Sequence, residues 1–249
     1  MNNRLSVSSS CISLNRFSAV AKTCFSFEIF RSAGIKDIEL CLWNGITVDS
    51  AVQIKRCASE NGQYIRSLHL PKDMMCDGII NREILEVIIY ILPQIVVLHP
   101  HEESSFWSNL MYLEEVIKTN KIVLALETLP YNKVSWTNTL NFWHGALVFD
   151  IHHMGVSREI SDEWINIYQD RIVEVHVRDY DLSVPNQYIK PGSTLFKGRL
   201  FTNLMQIQSI SQFVLECPFA SISEFVSTYK EFEYYVNMYG SNKRDDSII

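Results

Sequence analysis

Six side chains of metal-ligating type each stand at, or next to, the end of a short apolar run. The runs are YIRSLHL around His69, IVVLH ending at His99, IVLALE at Glu127, ALVFD at Asp150, IVEVH at His176 and FVLE at Glu216. Successive members are 30, 28, 23, 26 and 40 residues apart, spacings that accommodate one strand, one helix and their loops. A carboxylate or imidazole closing a buried strand is costly unless a cation or a hydrogen-bonding partner meets it. Six of them at the same end of six runs need a common destination. A parallel barrel supplies one, because its strand C-termini converge on a single mouth.

The periodicity agrees. Apolar runs of strand length alternate eight times with longer helical patterns, the signature of βα units. Strands are expected at Leu5–Ser9, Asp37–Leu42, Tyr64–Leu70, Ile95–His99, Ile122–Glu127, Ala146–Asp150, Ile172–Val177 and Phe213–Glu216. Helices are expected near Phe17–Ser32, Val48–Asn61, Asn81–Leu92, Ser105–Thr119, Ser135–Phe142, Ser161–Gln169, Leu200–Ser209 and Ser221–Met238. The longest loop is expected at about Arg178–Gly198. An open doubly wound sheet would want a glycine-rich phosphate loop after its first strand; the chain reads SSSCISLN there. The length of 249 residues matches a barrel of roughly 250. The expectation is an α/β chain with a single (β/α)8 barrel over residues 1–239 and a polar C-terminal tail over 240–249.

Composition narrows the function classes. With 47% hydrophobic residues the chain can bury a large core and is not a disordered one. A formal charge of −6 argues against affinity built on broad phosphate neutralisation, although it leaves a local basic groove open. Six scattered cysteines without a C-x-x-C pair read as reduced thiols of a cytoplasmic protein. The first 21 residues lack a secretory pattern, and the apolar stretch Ile84–Leu98 is interrupted by Glu86, Pro93 and Gln94, so no membrane partner is expected. Oligomeric state is not legible.

The ordered strand ends LHLP, VVLHPH, LALETLP, VFDIHHMG, VEVHVRD and FVLECP resemble the xylose isomerase-like superfamily of TIM barrels. That group holds sugar and sugar-phosphate isomerases and epimerases, and the apurinic endonucleases. The resemblance covers about Leu5 to Phe219. It implies one divalent metal per chain, held from strands five to eight by Glu127, Asp150, His176 and Glu216. Three carboxylates and an imidazole favour Mn²⁺, Mg²⁺ or Co²⁺, with Zn²⁺ also admitted. In the epimerase-like members the two glutamates are also the acid/base pair, which implies catalytic roles for Glu127 and Glu216. Moving a proton beside a carbonyl needs a cation to stabilise an enediolate and bases on the reacting face. The alternative, buried salt bridges, would need apposed Lys or Arg at the strand ends, and no regular supply is evident.

Other residues carry two readings. His69, His99 and His153 match ligands of the endonucleases' multinuclear zinc cluster, and in the isomerase-like members such positions more often contact substrate hydroxyls. They are candidates for a second metal or for the substrate, or else neutral rim residues. The endonucleases also place Asp-x-His in the loop after strand seven; this chain has Lys190-Pro191-Gly192, so a third zinc would have His153 alone, too few ligands. Arg178, in phase with His176, and Lys190 are candidates for holding an anionic substrate group. For Lys190 a solvated loop charge is an equal reading. Trp43 and Trp107 are candidates for stacking on a sugar, or are packing. The expected function is a metal-dependent isomerase or epimerase of a small sugar or related polyhydroxy carbonyl compound. The alternative is a metal-dependent phosphodiesterase or apurinic endonuclease-like enzyme with an incomplete third metal site. A third class is a barrel whose inherited metal site serves a partner.

Overall fold

The computed structural model describes residues 4–12, 18–71, 82–101, 104–128, 136–157, 162–183, 187 and 189–241. Eight parallel strands pair in sequence order and close into a barrel, with β8 returning to β1. They are β1 Leu5–Ser8, β2 Asp37–Cys41, β3 Tyr64–His69, β4 Ile95–Leu98, β5 Val123–Glu127, β6 Ala146–Asp150, β7 Ile172–Val177 and β8 Gln212–Leu215. The helices are α1 Ala19–Ser32, α2 Val48–Glu60, α3 Arg82–Ile91, α4 Ser104–Lys118, α5 Trp136–Phe142, α6 Ile151–Ser157, α7 Asp162–Tyr168, α8 Ser193–Lys197, α9 Arg199–Gln206 and α10 Ile222–Ser241. Among the described residues no helix is long and apolar enough to cross a membrane.

Local chemistry sets these boundaries. Ser18 and Thr47 cap α1 and α2 by accepting from the amides of Ala21 and Ser50, which satisfies donors that a helix start leaves open. Gly34 follows α1 at φ +81°, and the amide of Ile35 turns back to the carbonyl of Phe30, a left-handed exit that glycine makes without a Cβ penalty.

Differences from expectation concentrate after strand six. A helix, α6, leaves β6 at once, before the expected one. The expected helix at 200–209 is α9, and a short helix, α8, precedes it inside the expected loop; Gly198, with an extended ψ of 150°, ends one helix and starts the next. The long loop carries an antiparallel bridge between Asp179 and Ile189. The last helix runs to Ser241, so residues 240 and 241 of the expected tail are helical, and 242–249 lie outside the described residues.

The two faces of the barrel wall differ. The outward phase, including Ile38, Leu40, Leu126, Phe149, Val175 and Phe213, is fully buried beneath the helices. Each such side chain contributes roughly 1.5–3 kcal/mol of burial. The tyrosine-rich α10 joins this layer: Phe232 stacks on Phe196 at 5.7 Å, and Tyr235 lies 5.4 Å from the same ring. The inward phase has a small apolar cluster of Ile95, Val97, Ala125 and Val148 on the β4–β6 side. Elsewhere it presents Ser6, Ser8, Glu39, Ser67, Glu174, His176 and Gln212, all buried. Branched apolar residues usually fill such an interior; here much of it depends on hydrogen bonds and charge pairing.

Candidate metal centre

Register gathers the strand-end residues. Cys41 on β2 pairs with His69, and His69 with Val97; Asp150 pairs with His176. Alternation then turns Glu174, His176 and Arg178 to one side, because every second residue of a strand shares a face. Glu127, Asp150 and His176 have no exposed surface, and Glu216 has 8%. One ligand atom from each of these four lies within 4.8 Å of the other three.

Glu127 is the hub. Its Oε2 meets Nε2 of His69 at 2.9 Å and Nε2 of His99 at 2.6 Å. Its Oε1 meets Nδ1 of His176 at 3.2 Å. Burial alone would raise the pKa of Glu127, but His99, His176 and His69 hold it well below the ordinary carboxylate value. Burial likewise works against charge on His69 and His176. For His69 the pull of Glu127 wins, and for His176 that of Glu39, Glu216 and Glu127, so both imidazoles sit well above their usual value. Glu216 is lowered: burial opposes its charge, while Arg178 and His176 favour it.

Asp150 divides its work between its two oxygens. Oδ1 accepts from the amide of His153 at 2.7 Å, capping α6. Oδ2 faces the cluster, 2.5 Å from Nη2 of Arg178 but without a well-angled hydrogen bond; Glu216 Oε2 is buried in the same condition. Arg178 is buried too, with Nη2 3.5 Å from Glu127 and Nη1 3.6 Å from Glu216. His153 donates from Nδ1 to the carbonyl of Thr128 at 2.7 Å, so by the network its Nε2 accepts from Arg178 at 3.1 Å. It braces Arg178 and belongs to none of the potential ligand groups among the described residues.

The structure thus brings Glu127, Asp150, His176, Glu216, His69, His99 and Arg178 together. It does not bring Lys190, whose side chain is 55% exposed and bound to Glu224 of α10 at 2.9 Å. Trp43 and Trp107 are half-buried against the core, and Trp107 lies edge-on to Phe106 at 5.2 Å. Three residues of the centre were not singled out from sequence: Glu39, Glu174 and Cys41. Glu39 and Glu174 stand two residues before Cys41 and His176 in their strands. Polar residues at a spacing of two in IVEVHVR carried the signal.

The donor set fits a divalent cation. Glu39, Glu127, Asp150, Glu174 and Glu216 are all buried, and Arg178 is the one permanently charged cation meeting them among the described residues. The buried oxygens of Asp150 and Glu216 that lack hydrogen bonds point to a further positive partner. His69, His99 and Glu127 form a second compact group, and Glu39, Cys41, His69 and Glu216 another.

No protein-family profile and no curated protein matches the chain. Solved structures do. One is the apo form of 3-keto-D-glucoside 4-epimerase, YcjR, from E. coli, with a TM-score of 0.63 at 15% identity over 93% of this chain and 98% of that one. Another is D-psicose 3-epimerase from Clostridium cellulolyticum H10, with 0.63 at 9% over 98% of both. A third is an AP endonuclease, family 2, from Brucella melitensis, with 0.65 at 15% over 93% and 98%. At these identities the likeness is one of fold, and it falls on the kinds of barrel that the strand-end motifs resemble.

Proposed function

We propose that this chain is a divalent-metal-dependent isomerase or epimerase of a small polyhydroxylated carbonyl compound. One observation carries the reading: Glu127, Asp150, His176 and Glu216 converge at the C-terminal mouth of the barrel, where active sites of this architecture sit. The likeness of fold to sugar epimerases supports the reaction class by analogy. Those four residues would hold the cation, with Mn²⁺, Mg²⁺ or Co²⁺ suited to their oxygens and Zn²⁺ admitted. When bound, it would polarise the substrate carbonyl and balance the charge gathering on its oxygen.

The chain's own groups then move the proton. Glu216 retains some exposure while Glu127 has none, so Glu216 is the carboxylate that meets the carbon beside the carbonyl first. Glu127 is the enclosed member of the acid/base pair. Arg178 offers its fork to a substrate oxygen from a frame braced by His153.

A second reading has its own observation. His69 and His99 meet one oxygen of Glu127 and His176 the other, so two groups of residues sharing this carboxylate would be able to hold two cations. Two cations suit hydrolysis of a phosphodiester. Metal analysis of purified protein separates the readings. One cation per chain, lost in His176→Ala, supports the isomerase; two, with one lost in His99→Ala, support the hydrolase. Wild-type protein that retains none refutes both.

A further inference from the structure

Beneath the four-ligand set lies a second layer of inward residues to which the proposed reaction assigns no role. Glu39 of β2, Ser67 of β3 and Glu174 of β7 have no exposed surface, and Gln212 of β8 has 6%. Register ties them together, pairing Glu39 with Ser67 and Glu174 with Gln212. The amide of Gln212 donates to Ser67 Oγ at 2.8 Å and, in a close contact, to Glu174 Oε2.

His176 spans the two layers. Its Nδ1 faces upward to Glu216 Oε2 at 3.0 Å, Glu127 Oε1 at 3.2 Å and Asp150 Oδ2 at 3.9 Å. Its Nε2 faces downward to Glu174 Oε1 at 2.9 Å and Glu39 Oε2 at 3.1 Å. A neutral imidazole has one lone pair to give a cation, and the hydrogen bond on the other nitrogen decides which one it is. Carboxylates face both nitrogens, but those against Nδ1 belong to the four-ligand set, so a cation held there would take the Nδ1 lone pair and leave the hydrogen on Nε2, between Glu174 and Glu39. A half-turn of the ring would set Cε1 where Nε2 now lies and forfeit both contacts.

We propose that Glu39 and Glu174 are positioning residues that pin the Nε2–H of His176 from below and so direct its Nδ1 lone pair at the divalent cation. The inference rests on the metal site of the proposed function. Gln212 and Ser67 extend the brace by holding Glu174. Glu39, Glu174 and His176 are themselves close enough to ligate an ion; in that arrangement Nε2 would be the ligand, so the two cases differ at a nitrogen that can be observed.

Calorimetric titration of metal-free protein with Mn²⁺ should show Glu174→Gln and Glu39→Gln each binding about 10–100-fold more weakly than wild type, the usual loss for such outer partners. Glu224→Gln, on the outer surface, should bind as wild type does. Long-range ¹H–¹⁵N spectra of the Zn²⁺-loaded protein should show His176 protonated at Nε2 and metal-bound at Nδ1, and the variants should lose that single tautomer. If Glu174→Gln does not fold, Gln212→Met leaves the imidazole contact in place, frees Glu174, and should lower affinity by a smaller factor. Wild-type affinity in the folded variants, or a metal-bound Nε2, overturns the inference alone. A wild-type protein that binds neither Mn²⁺ nor Zn²⁺ overturns the metal site on which it rests.

Discussion

Replacing Arg178 by Met should make the protein depend on its metal for stability. The substitution keeps much of the side chain's length and removes a guanidinium that is 6% exposed and 2.5, 3.5 and 3.6 Å from Asp150, Glu127 and Glu216. Removing one partner of a buried charge pair costs about 3–5 kcal/mol, because the other charge stays behind. At roughly 2–4 °C per kcal/mol for a chain of this size, the metal-free variant should melt roughly 6–20 °C below wild type. A divalent cation brings charge to the same oxygens, so most of that gap should close on loading. Linkage then requires the variant to bind metal more tightly than wild type by the free energy recovered, roughly 2–4 kcal/mol or about 30–1,000-fold. Scanning calorimetry with chelator and with Mn²⁺, beside metal titration, measures both. A metal-free variant that melts with wild type, or binds metal more weakly, would refute the charge-compensation argument.

Three further outcomes are expected. Metal-free protein should lose stability as pH rises from mildly acidic to alkaline. Burial lifts Glu174 to about 7, and acidic neighbours outweigh burial to raise His69 and His176 well above 6.5, so the folded chain binds more protons than the unfolded. The histidine contribution is complete below 6.5 and fades through the raised values, and that of Glu174 fades between 4.5 and about 7; denaturation curves across pH that stay flat would contradict this. With an accepted ketose or keto acid, turnover in D₂O should place deuterium on the reacting carbon, and Glu216→Gln should lose roughly 10²–10⁴-fold in rate at equal metal content. Full retention of the original hydrogen would instead indicate a hydride shift. Finally, with Lys190 turned to Glu224 and no Asp-x-His at that place, pure protein should not cut abasic duplex DNA efficiently; robust metal-dependent incision would promote the two-metal reading.

The barrel and its upper rim were legible because buried strands write themselves as apolar runs and a charge closing one stands out. What lay deeper was harder. Glu39 sits inside DIELC and Glu174 inside IVEVHV, where a mid-strand carboxylate looks like an outward polar residue until register shows which phase faces in. Helix α6 was hidden because IHHMGVS combines β-branched residues, histidines and a glycine, none a strong helix former; Asp150 starts it by capping. For Lys190 the sequence offered a substrate contact and a solvated charge equally: position after strand seven does not give the path of a long loop, and the Asp179–Ile189 bridge belongs to a path that leaves Lys190 beside Glu224. For Trp43 and Trp107 the sequence offered packing and stacking alike, and the structure puts both against the core.

The division between an apolar outer layer and a polar lumen has an evolutionary consequence. Side chains such as Phe149 and Phe213, which hold wall to helices, alternate in the same strands with Asp150 and Gln212, which line the interior. Every second residue therefore answers to a different demand. Drift in the outer set changes how well the scaffold survives heat without reaching the chemistry. Under the proposed function, exchange in the inner set would redraw ion preference and substrate choice, while the contacts that close the barrel stay in place. Such a scaffold can change trades without being rebuilt, and it can keep its architecture at sequence identities as low as those seen here.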